Sequence, residues 1–523
     1  MARKLGEFVP YIGGPSQAKT LIPLFETLLN VEETQVRSAA ADSVSRVLVT
    51  IGPEHKNIAR EYLEMYKRLV VDDGGEVFYS RVSACQIAPQ LYLTLQDVQD
   101  KTFVREAFAK MSGDELAIIK RASVASLISF ATNSDADTRV GELLTVLKHL
   151  VFDECASVKI MAVEILPAYS KLLFEMKAFD TIVQEIGPLV KVSTEDSSWR
   201  VKSAIAKEFG VYASVFPQEN VLQIYRCGVA LMVDDEPEVR QLMVPNIFGY
   251  CSVVGLEQYT QALVPMLQLL FDDPIPEVRK AVADLVVESA MAVGTESAAN
   301  VMADLIVKML TDEDGCVRLR VLAKLPRIAE EIPNLLTRIT PVLKTLYSDS
   351  NWRVRRAVAE GMPGIVASMG PEFFQNHFMT EYLQTLKDGV SEVRVGICET
   401  FPLMIEACTG EWFFTNIFAT VKLLIRDEYL VRLSMIGGLR AMLRATSALS
   451  DAHQGEVMVF IFGLTKDPVP NIRLRAAQAL TAICDDPATD ASRLQQIKPV
   501  MQELQADKDK DVKFFASTAT AFK

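Results

Sequence analysis

The residues near the start of the chain come closest to a catalytic motif, a phosphate-binding loop. The run Gly13-Gly14-Pro15-Ser16-Gln17-Ala18-Lys19-Thr20 ends in lysine and threonine, as such loops do. However, the loop needs glycine where Ala18 stands, because the backbone turns there with a positive φ. It also needs a preceding buried strand, whereas residues 5–11 resemble a helix end. We therefore predict a loop leading into a helix that contains Leu21 and Leu24, and no nucleotide site.

Histidine, cysteine and acidic residues offer no better chemistry. None of the four histidines (His55, His149, His377 and His453) has a second ligand at the spacing that metal sites need. The eight cysteines occur singly and without a C-x-x-C pair, so they are expected to be small buried residues in a reducing compartment. The sequence predicts no catalytic residue, no metal site and no cofactor, and the chain is not expected to be an enzyme.

Two tryptophan–arginine pairs are better candidates for recognition. Trp199-Arg200 and Trp352-Arg353 each stand directly before a valine–cation pair, at a place that is normally polar. A large aromatic residue on a turn usually has a covering partner, and tryptophan and arginine are enriched at interface hot spots. We expect both pairs to bind another protein; the alternative is that each indole packs sideways on the next turn. The third tryptophan, Trp412, is expected in the core.

These pairs belong to a repeat that runs along the chain, in which an apolar residue is followed by a cation about every 39 residues. The copies are Val36-Arg37, Val158-Lys159, Val201-Lys202, Val239-Arg240, Val278-Arg279, Val317-Arg318, Val354-Arg355, Val393-Arg394, Val431-Arg432, Ile472-Arg473 and Val512-Lys513, with weaker copies at Arg81 and Arg121. This period is typical of a solenoid of HEAT or armadillo helix pairs. We predict an all-α HEAT-repeat α-solenoid, a superhelical horseshoe of antiparallel helix pairs.

Other residues keep a fixed distance from the apolar one. An aspartate lies five positions before it at Asp153, Asp196, Asp234, Asp273, Asp312, Asp349, Asp388, Asp467 and Asp507, and a proline lies thirteen before it at Pro23, Pro188, Pro265, Pro341 and Pro499. The proline is expected to bend the first helix. The aspartate is expected in the turn, accepting N–H groups at the start of the second helix. The cation is expected to reach an aspartate of its own or the adjacent repeat, in a ladder of exposed pairs each worth about 0–1 kcal/mol.

Composition agrees with one long repeat protein. A single core stops growing near about 250–300 residues, and no Pro/Gly-rich linker divides these 523 residues. The net charge is −13, without a basic stripe, which disfavours nucleic-acid binding. No signal peptide or membrane-spanning run is found, and the expected location is the cytoplasm, with the nucleus open as a second location.

Several segments closely resemble the scaffold (A) subunit of protein phosphatase type 2A, in that family's repeat order from Lys4 to Phe522. They are Val31-Glu32-Glu33-Thr34-Gln35-Val36-Arg37, Glu195-Asp196-Ser197-Ser198-Trp199-Arg200-Val201-Lys202, Asn351-Trp352-Arg353-Val354-Arg355, Gly370-Pro371-Glu372-Phe373-Phe374, Lys466-Asp467-Pro468-Val469-Pro470-Asn471-Ile472-Arg473 and Asp511-Val512-Lys513-Phe514-Phe515-Ala516.

The resemblance implies a scaffold without activity that joins a metal-dependent Ser/Thr phosphatase catalytic subunit to one interchangeable regulatory B-type subunit in a heterotrimer. It implies a partial N-terminal repeat in residues 1–16 (second helix only), a regulatory-subunit half in 17–330, and five repeats that bind the catalytic subunit in 331–523. The implied catalytic-subunit contacts are Trp352, Arg353, Val390, Tyr429, Leu430, Pro468, Val469 and Lys508. The implied regulatory-subunit contacts are Glu32, Glu33, Arg121, Trp199 and Arg200.

The chain departs from the family pattern in three places. About two repeats of leading sequence are absent, which suggests a truncated gene model, a fragment or a second chain that covers the end. The turn before Arg121, Leu116-Ala117-Ile118-Ile119, lacks the family's proline, and Ser391 replaces an aromatic residue. The first two departures bear on which regulatory subunit is chosen, and the third removes part of one catalytic-subunit contact.

Two other functions remain open. A HEAT-repeat nuclear transport receptor or adaptor would wrap a protein cargo on its concave face, and it is expected to carry an acidic concave surface or loop and a small-GTPase site. An enzyme or nucleic-acid module would need a basic concave face and a catalytic carboxylate. No acidic insert and no basic stripe is evident in the sequence.

Overall fold

The fold is built from α-helices joined by short turns. The computed structural model describes residues 2–52, 54–71, 78–254, 264–293, 302–443, 448–486, 489 and 491–518, and none of these lies in a β-strand. Packing divides the chain into two compact units, residues 1–270 and 271–523. This division differs from the predicted one after residue 330, and the two functional halves stay a prediction.

In the first unit, the helices alternate along the chain as first and second members of antiparallel pairs. The first members are Pro15–Leu21 (3₁₀) with Ile22–Leu29, Lys56–Leu69, Val98–Ser112, Ala136–Thr138 continuing through Arg139–Leu143 to Val151, Phe179–Thr181 continuing through Ile182–Ile186 to Thr194, and Gln218–Met232. The second members are Thr34–Ile51, Tyr79–Thr94, Ala117–Thr132, Ala156–Glu175, Trp199–Lys207 with Val211–Val215, and Pro237–Val254. Ahead of them lie the 3₁₀ turns Ala2–Glu7 and Val9–Ile12, where a second helix was predicted.

The second unit continues the alternation, after the helix Val264–Phe271 at the division. Its second members are Pro276–Val293, Gly315–Leu322 with Leu325–Glu331, Trp352–Met369, Ser391–Glu399 with Phe401–Cys408, Tyr429–Met442, Pro470–Cys484 and Lys510–Ala516. Its first members are Ala303–Leu310, Pro333–Leu346, Pro371–His377 with Met379–Thr385, Gly410–Phe413 continuing through Phe414–Phe418 to Leu424, Asp451–Leu464 and Ala491–Gln505.

Within each unit, consecutive second helices pack on one another and form a continuous layer. The apolar residue of the repeat faces this layer: ten of the eleven predicted residues are buried, and only Val36 is half-buried. Burying a valine stabilises the fold by about 1.5–3 kcal/mol. Small residues follow it as predicted; Ala40, Ala476 and Ala477 are fully buried, whereas Ala357 is half-buried.

The repeat prolines act at helix starts as well as inside helices. Pro341 and Pro499 lie within a helix, as predicted. Pro188 also lies inside its first helix, directly after the π-helical turn Ile182–Ile186. Pro23 instead stands in the first turn of Ile22–Leu29, after a 3₁₀ helix. A proline has no backbone N–H to donate to the preceding turn of a helix. A 3₁₀ or π-helical turn just before it is therefore expected.

The turn aspartates form a uniform set of hydrogen bonds. All nine predicted aspartates accept the backbone N–H two residues later, at 2.7–3.0 Å. That N–H belongs to the residue just before the second helix, so the carboxylate closes the turn one step earlier than a helix cap does. In Asp349, for example, Oδ1 accepts the N–H of Asn351, and Asn351 itself caps the helix.

Nine of the cations reach forward to the aspartate of the next repeat. The pairs are Arg81–Asp114, Lys120–Asp153, Lys159–Asp196 and Lys202–Asp234 in the first unit, and Arg279–Asp312, Arg318–Asp349, Arg355–Asp388, Arg432–Asp467 and Arg473–Asp507 in the second, at 2.6–3.1 Å. Several arginines also donate to the carbonyl of their own turn, as Arg355 does to Asp349 (2.7 Å). The predicted ladder is confirmed.

The ladder is less exposed than predicted. The side chains of Arg318 and Asp349 are only 11% and 9% exposed. The expectation of exposed pairs is therefore wrong for these positions, because the cation lies under the next turn. Removing one member leaves a nearly buried charge without its partner, which costs more than losing a surface pair.

The third copy of the repeat needs a correction of one residue. Sequence analysis took Arg121 as its cation, but Lys120 is the residue that pairs with Asp153, and Ile119 before it is fully buried. With Ile119–Lys120 as the copy, Asp114 also falls five positions before the apolar residue, and it accepts the N–H of Leu116 at 2.9 Å.

The contact between the repeat of Arg394 and the next repeat does not use the usual ion pair. Asp427 lies only four positions before Val431, and its carboxylate pairs with Lys387 at 2.7 Å. The guanidinium of Arg394 donates instead to Ser434 Oγ (3.1 Å) and to the carbonyl of Leu430 (3.3 Å). The shorter turn thus replaces an ion pair with two neutral hydrogen bonds.

Replacement of Asp349 by alanine is expected to destabilise the protein by about 3 kcal/mol, because it removes the partner of a buried guanidinium and a turn hydrogen bond. The control is Asp272→Ala, which breaks the exposed pair between Asp272 and Lys308 and should cost less than about 1 kcal/mol. Urea unfolding followed by circular dichroism measures both. Equal losses of unfolding free energy in the two variants would contradict the argument that a buried ion pair contributes more to stability than an exposed one.

The ladder also predicts a dependence of stability on pH. Hydrogen bonds from Arg473 and from the N–H of Asp509 hold the pKa of Asp507 below its ordinary value, although burial opposes them. A carboxylate with a lowered pKa in the folded state stabilises the protein above the unfolded pKa of about 3.9, and this contribution is lost as the pH falls through the folded value. The urea midpoint should therefore drop between about pH 5 and pH 3. Asp507→Asn should be less stable at pH 7 and show a shallower drop; a slope identical to that of the unchanged protein would contradict this.

Candidate protein-docking ridge

The turns between first and second helices form a row in each unit, here called the turn ridge. In the second unit, Trp352 begins the helix Trp352–Met369 and is half-buried, while Arg353 is exposed. The guanidinium of Arg353 lies 4.5 Å from the centre of the Trp352 ring. Such a cation–π contact holds the indole in place at the surface, where another protein can still contact it.

The other predicted catalytic-subunit contacts occupy equivalent places on the following turns. Val390 and Val469 each directly precede a second helix and are half-buried. Tyr429 begins such a helix, Leu430 beside it is 55% exposed, and both Pro468 and Lys508 are exposed. None of these residues belongs to the core. Ser391, where the family has an aromatic residue, is also exposed.

Contacts between successive repeats bring these turns together on one edge of the second unit. Arg355–Asp388 joins the Trp352 turn to the Val390 turn. The bond from Arg394 to the Leu430 carbonyl joins the next two turns. The pairs Arg432–Asp467 and Arg473–Asp507 extend the connection to the turn of Lys508. Asn471 also donates to the hydroxyl of Tyr429 at 2.5 Å. The eight residues thus lie on successive turns that these contacts join.

The first unit places its predicted contacts on its own turn ridge. Glu32 and Glu33 are exposed just before the helix Thr34–Ile51. Trp199 is half-buried under the exposed Arg200, whose guanidinium lies 4.6 Å from the ring centre. Arg121 is half-buried, and its Nη1 donates to Ser157 Oγ of the next repeat (3.4 Å). The two tryptophan–arginine pairs therefore have the same geometry.

Sequence analysis missed an apolar set on the turn ridge of the first unit. Val71, Phe152 and Val233 are 57%, 57% and 55% exposed. Phe152 and Val233 each stand one position before a turn aspartate, and Val71 likewise precedes an aspartate in the sequence. The three residues are two repeats apart, and Gly113 and Glu195 occupy the turns between them. An apolar residue recurring directly before the aspartate was the available signal. These side chains are suited to contact with a partner protein.

The third tryptophan and the phosphate-loop motif are structural. Trp412 is half-buried rather than in the core, and its ring lies edge-on to Phe374 at 6.2 Å. At the motif, Gly13 has a φ of 103°, and the chain enters a 3₁₀ helix at Pro15 and an α-helix at Ile22, as the predicted loop requires.

The described residues contain no group of three His, Cys, Asp or Glu side chains that could hold a metal ion. Four cysteines are buried, and burial raises the pKa of the Cys85 and Cys398 thiols to about 12, but Cys316 is exposed, against expectation. The side chain of Cys251 lies outside the described part. None of the described helices is long and apolar enough to span a bilayer.

The exposure of the tryptophans can be tested by fluorescence. With Trp199 and Trp412 replaced by phenylalanine, Trp352 remains the single emitter. Acrylamide should quench it, and Arg353→Ala should increase the quenching because the covering guanidinium is removed. Lys508→Ala, a change farther along the same turn ridge, should have no effect. An unquenched Trp352, or equal quenching after Arg353→Ala, would show that the indole is not covered as described.

Comparison with known proteins gives matches to parts of the chain. Residues 218–338 match a family model described as PIK3R4-like, middle domain. The A-type regulatory subunit of protein phosphatase PP2A from Saccharomyces cerevisiae is 28% identical over 222 residues, which are 41% of this chain and 34% of the relative. The alpha isoform of the 65 kDa A-type regulatory subunit of serine/threonine-protein phosphatase 2A from Arabidopsis thaliana is 35% identical over 146 residues, 28% of this chain and 24% of the relative. The chain therefore matches only about a quarter to a third of these relatives' own length.

Solved structures resemble the chain over nearly its whole length. Kap121p superposes with a TM-score of 0.66 at 13% identity, covering 98% of this chain and 54% of that one. A chain of the structure describing the action of Kap95p on the switch loops of RanGDP superposes with a TM-score of 0.64 at 14% identity, covering 99% of this chain and 69% of that one. At this identity the likeness concerns the fold alone. The chain is thus an all-α HEAT-type repeat solenoid, similar in part of its sequence to the A-type regulatory subunits of protein phosphatase 2A.

Proposed function

We propose that this chain is a non-catalytic scaffold of a Ser/Thr protein phosphatase of the 2A type. It would hold the catalytic subunit on the turn ridge of residues 331–523 and one interchangeable regulatory B-type subunit on that of residues 17–330. The observation that carries the proposal is the tryptophan–arginine pair, repeated with one geometry on each turn ridge. The sequence similarity to A-type regulatory subunits of PP2A supports the same assignment.

In the second unit, Trp352 is the proposed anchor for the catalytic subunit. Its indole offers a large apolar surface already held in place by Arg353, so little conformational entropy is lost on docking. Leu430, Pro468 and Val469 would extend the apolar contact along the turn ridge, with Val390 and Tyr429 beside them. Lys508 would provide a charged contact at the far end, where attraction between charges chiefly raises the rate of association.

In the first unit, Trp199 and Arg200 would anchor the regulatory subunit, with Arg121 on a neighbouring part of the same turn ridge. Glu32 and Glu33 would add an acidic contact. The exposed Phe152 lies two turns from Val71 and two from Val233, so the three residues supply spaced apolar contacts. Different regulatory subunits can use different subsets of these residues, which fits a scaffold with exchangeable partners.

The proposed mechanism is an increase in effective concentration. Two proteins held on one chain meet as parts of one assembly, and short flexible tethers reach effective concentrations of about mM. Each repeat contacts its neighbours, so small rotations between repeats add up along the array. We also propose that the heterotrimer acts in the cytoplasm, with the nucleus open as a second location.

Cargo transport is the second candidate. It is favoured by the likeness to Kap121p, which covers 98% of this chain but extends to the fold alone. A transport receptor would co-purify with a cargo protein and a small GTPase, rather than with a phosphatase.

Replacement of Trp352 by alanine is expected to lower, at least about tenfold, the amount of phosphatase catalytic subunit that co-purifies, because an interface hot spot is lost. The retained regulatory subunit should stay within about twofold. Tagged full-length chain, recovered from its own cells and analysed by quantitative mass spectrometry and phosphatase assay, measures both.

Trp199→Ala is the matched control, since the same residue is removed from the same geometry on the other unit. It should reduce recovery of the regulatory subunit but retain the catalytic one. Unchanged phosphatase recovery with Trp352→Ala would contradict the assignment of this turn ridge, and recovery of cargo and GTPase without phosphatase would support the transport function instead.

A further inference from the structure

A groove lies on the layer of second helices in the second unit, beside the turn ridge. Its walls come from the consecutive helices Ser391–Glu399, Tyr429–Met442 and Pro470–Cys484, and it encloses about 470 Å³. Leu430 lies at its end and is also exposed on the turn ridge. Its lining includes both positively charged arginines and apolar aliphatic side chains.

Three arginines line the groove without an ion pair to any residue in the described part of the chain. Arg394, Arg440 and Arg475 line the groove, whereas no aspartate or glutamate does. None of the three forms an ion pair with a described residue. Arg475 has only a 3.2 Å hydrogen bond to Gln478. Three positive charges therefore meet in one concave place on a chain whose net charge is −13.

Arg394 is the unusual member of this group. Its side chain is only 3% exposed, and it sits where the ladder lacks its usual aspartate because Asp427 pairs with Lys387. Its hydrogen bonds go to Ser434 and to backbone carbonyls, which are neutral. The positive charge of Arg394 also acts on the carboxylates of Asp388 and Glu392, but it forms a direct ion pair with neither. A carboxylate entering the groove would add a direct ion pair to this nearly buried guanidinium and would be stabilised there. Glu392, the acidic residue nearest in sequence, is exposed and bonded to Ser391.

The groove also offers apolar contact and open space. Val395 is 40% exposed and Leu430 55%, and Leu433 also lines the groove. Gly437 is an exposed lining residue, and a Cβ placed on it would meet no atom within 4 Å. A ligand that carries only negative charges would leave these apolar side chains exposed to water.

We propose that this groove binds a short acidic segment of a partner polypeptide that also carries leucine-type side chains. Two or three carboxylates would pair with Arg394, Arg440 and Arg475, while the aliphatic side chains pack on Val395 and Leu430. Nucleic acid fits less well, because neutralising a phosphate backbone needs a longer row of cations and makes little use of aliphatic contacts.

The test uses the isolated full-length chain and a fluorescein-labelled peptide that alternates glutamate and leucine, with binding measured by fluorescence anisotropy. Arg440→Glu is expected to raise the Kd at least about tenfold, since it replaces an attraction by a repulsion. Gly437→Leu should raise it similarly by filling part of the groove. Peptides alternating lysine and leucine, or glutamate and serine, should bind at least about tenfold more weakly than the glutamate–leucine peptide.

Two matched variants control for folding and charge. Gly463→Leu makes the same change at another exposed helical glycine with open space around it, and Lys207→Glu reverses a charge in the first unit. Both should keep the Kd of the unchanged chain, and circular dichroism should show all four variants folded. No peptide binding, or equal binding by the groove variants and their controls, would overturn the proposal. Tighter, Arg440-dependent binding of a single-stranded RNA of the same length would overturn it in favour of nucleic acid.

Discussion

The ion pair between each repeat's cation and the next repeat's aspartate is the interaction on which this structure depends. The same carboxylate closes its own turn by accepting an N–H and receives the cation of the preceding repeat, so one side chain fixes both the local turn and the contact between repeats. Because the pairs are largely buried, they are sensitive to loss of either partner. The exposed residues beside them are consequently held at regular positions.

Regular spacing is what would suit the turn ridge to the proposed recognition of a partner. A single exposed tryptophan would be of little use on a mobile turn, since ordering it would cost entropy on binding. Here the indoles of Trp199 and Trp352 begin helices whose preceding turns are closed by Asp196 and Asp349, and each is covered by its own arginine. The scaffold hypothesis therefore rests on geometry that is present before a partner arrives.

The sequence predicted the helical repeat, its turn aspartates and the surface position of both tryptophan–arginine pairs, because each depends on a residue type at a fixed spacing. It did not predict the places where a contact between repeats uses a residue outside the regular spacing. The cation at position 120 was assigned to Arg121, since two adjacent cations cannot be told apart without the packing of Ile119. The burial of the ladder and the groove around Arg394 could not be predicted, as both arise from neighbouring helices rather than from one segment. The partners of the turn ridge remain proposals for the same reason: recognition depends on a second surface.

The forward direction of the ladder has a consequence for how such an array changes length. Lys159 bonds to Asp196, 37 residues ahead, and Arg318 bonds to Asp349, 31 residues ahead. Both aspartates occupy the equivalent position in the turn of the next repeat. Removing or duplicating one whole helix pair within a run of ladder pairs would leave the preceding cation facing an equivalent carboxylate, whereas a cut within a helix pair would leave a cation or an aspartate without its partner. Whole helix pairs are thus the units by which the ladder can change length, and each added or lost pair changes the distance along the array by a fixed step.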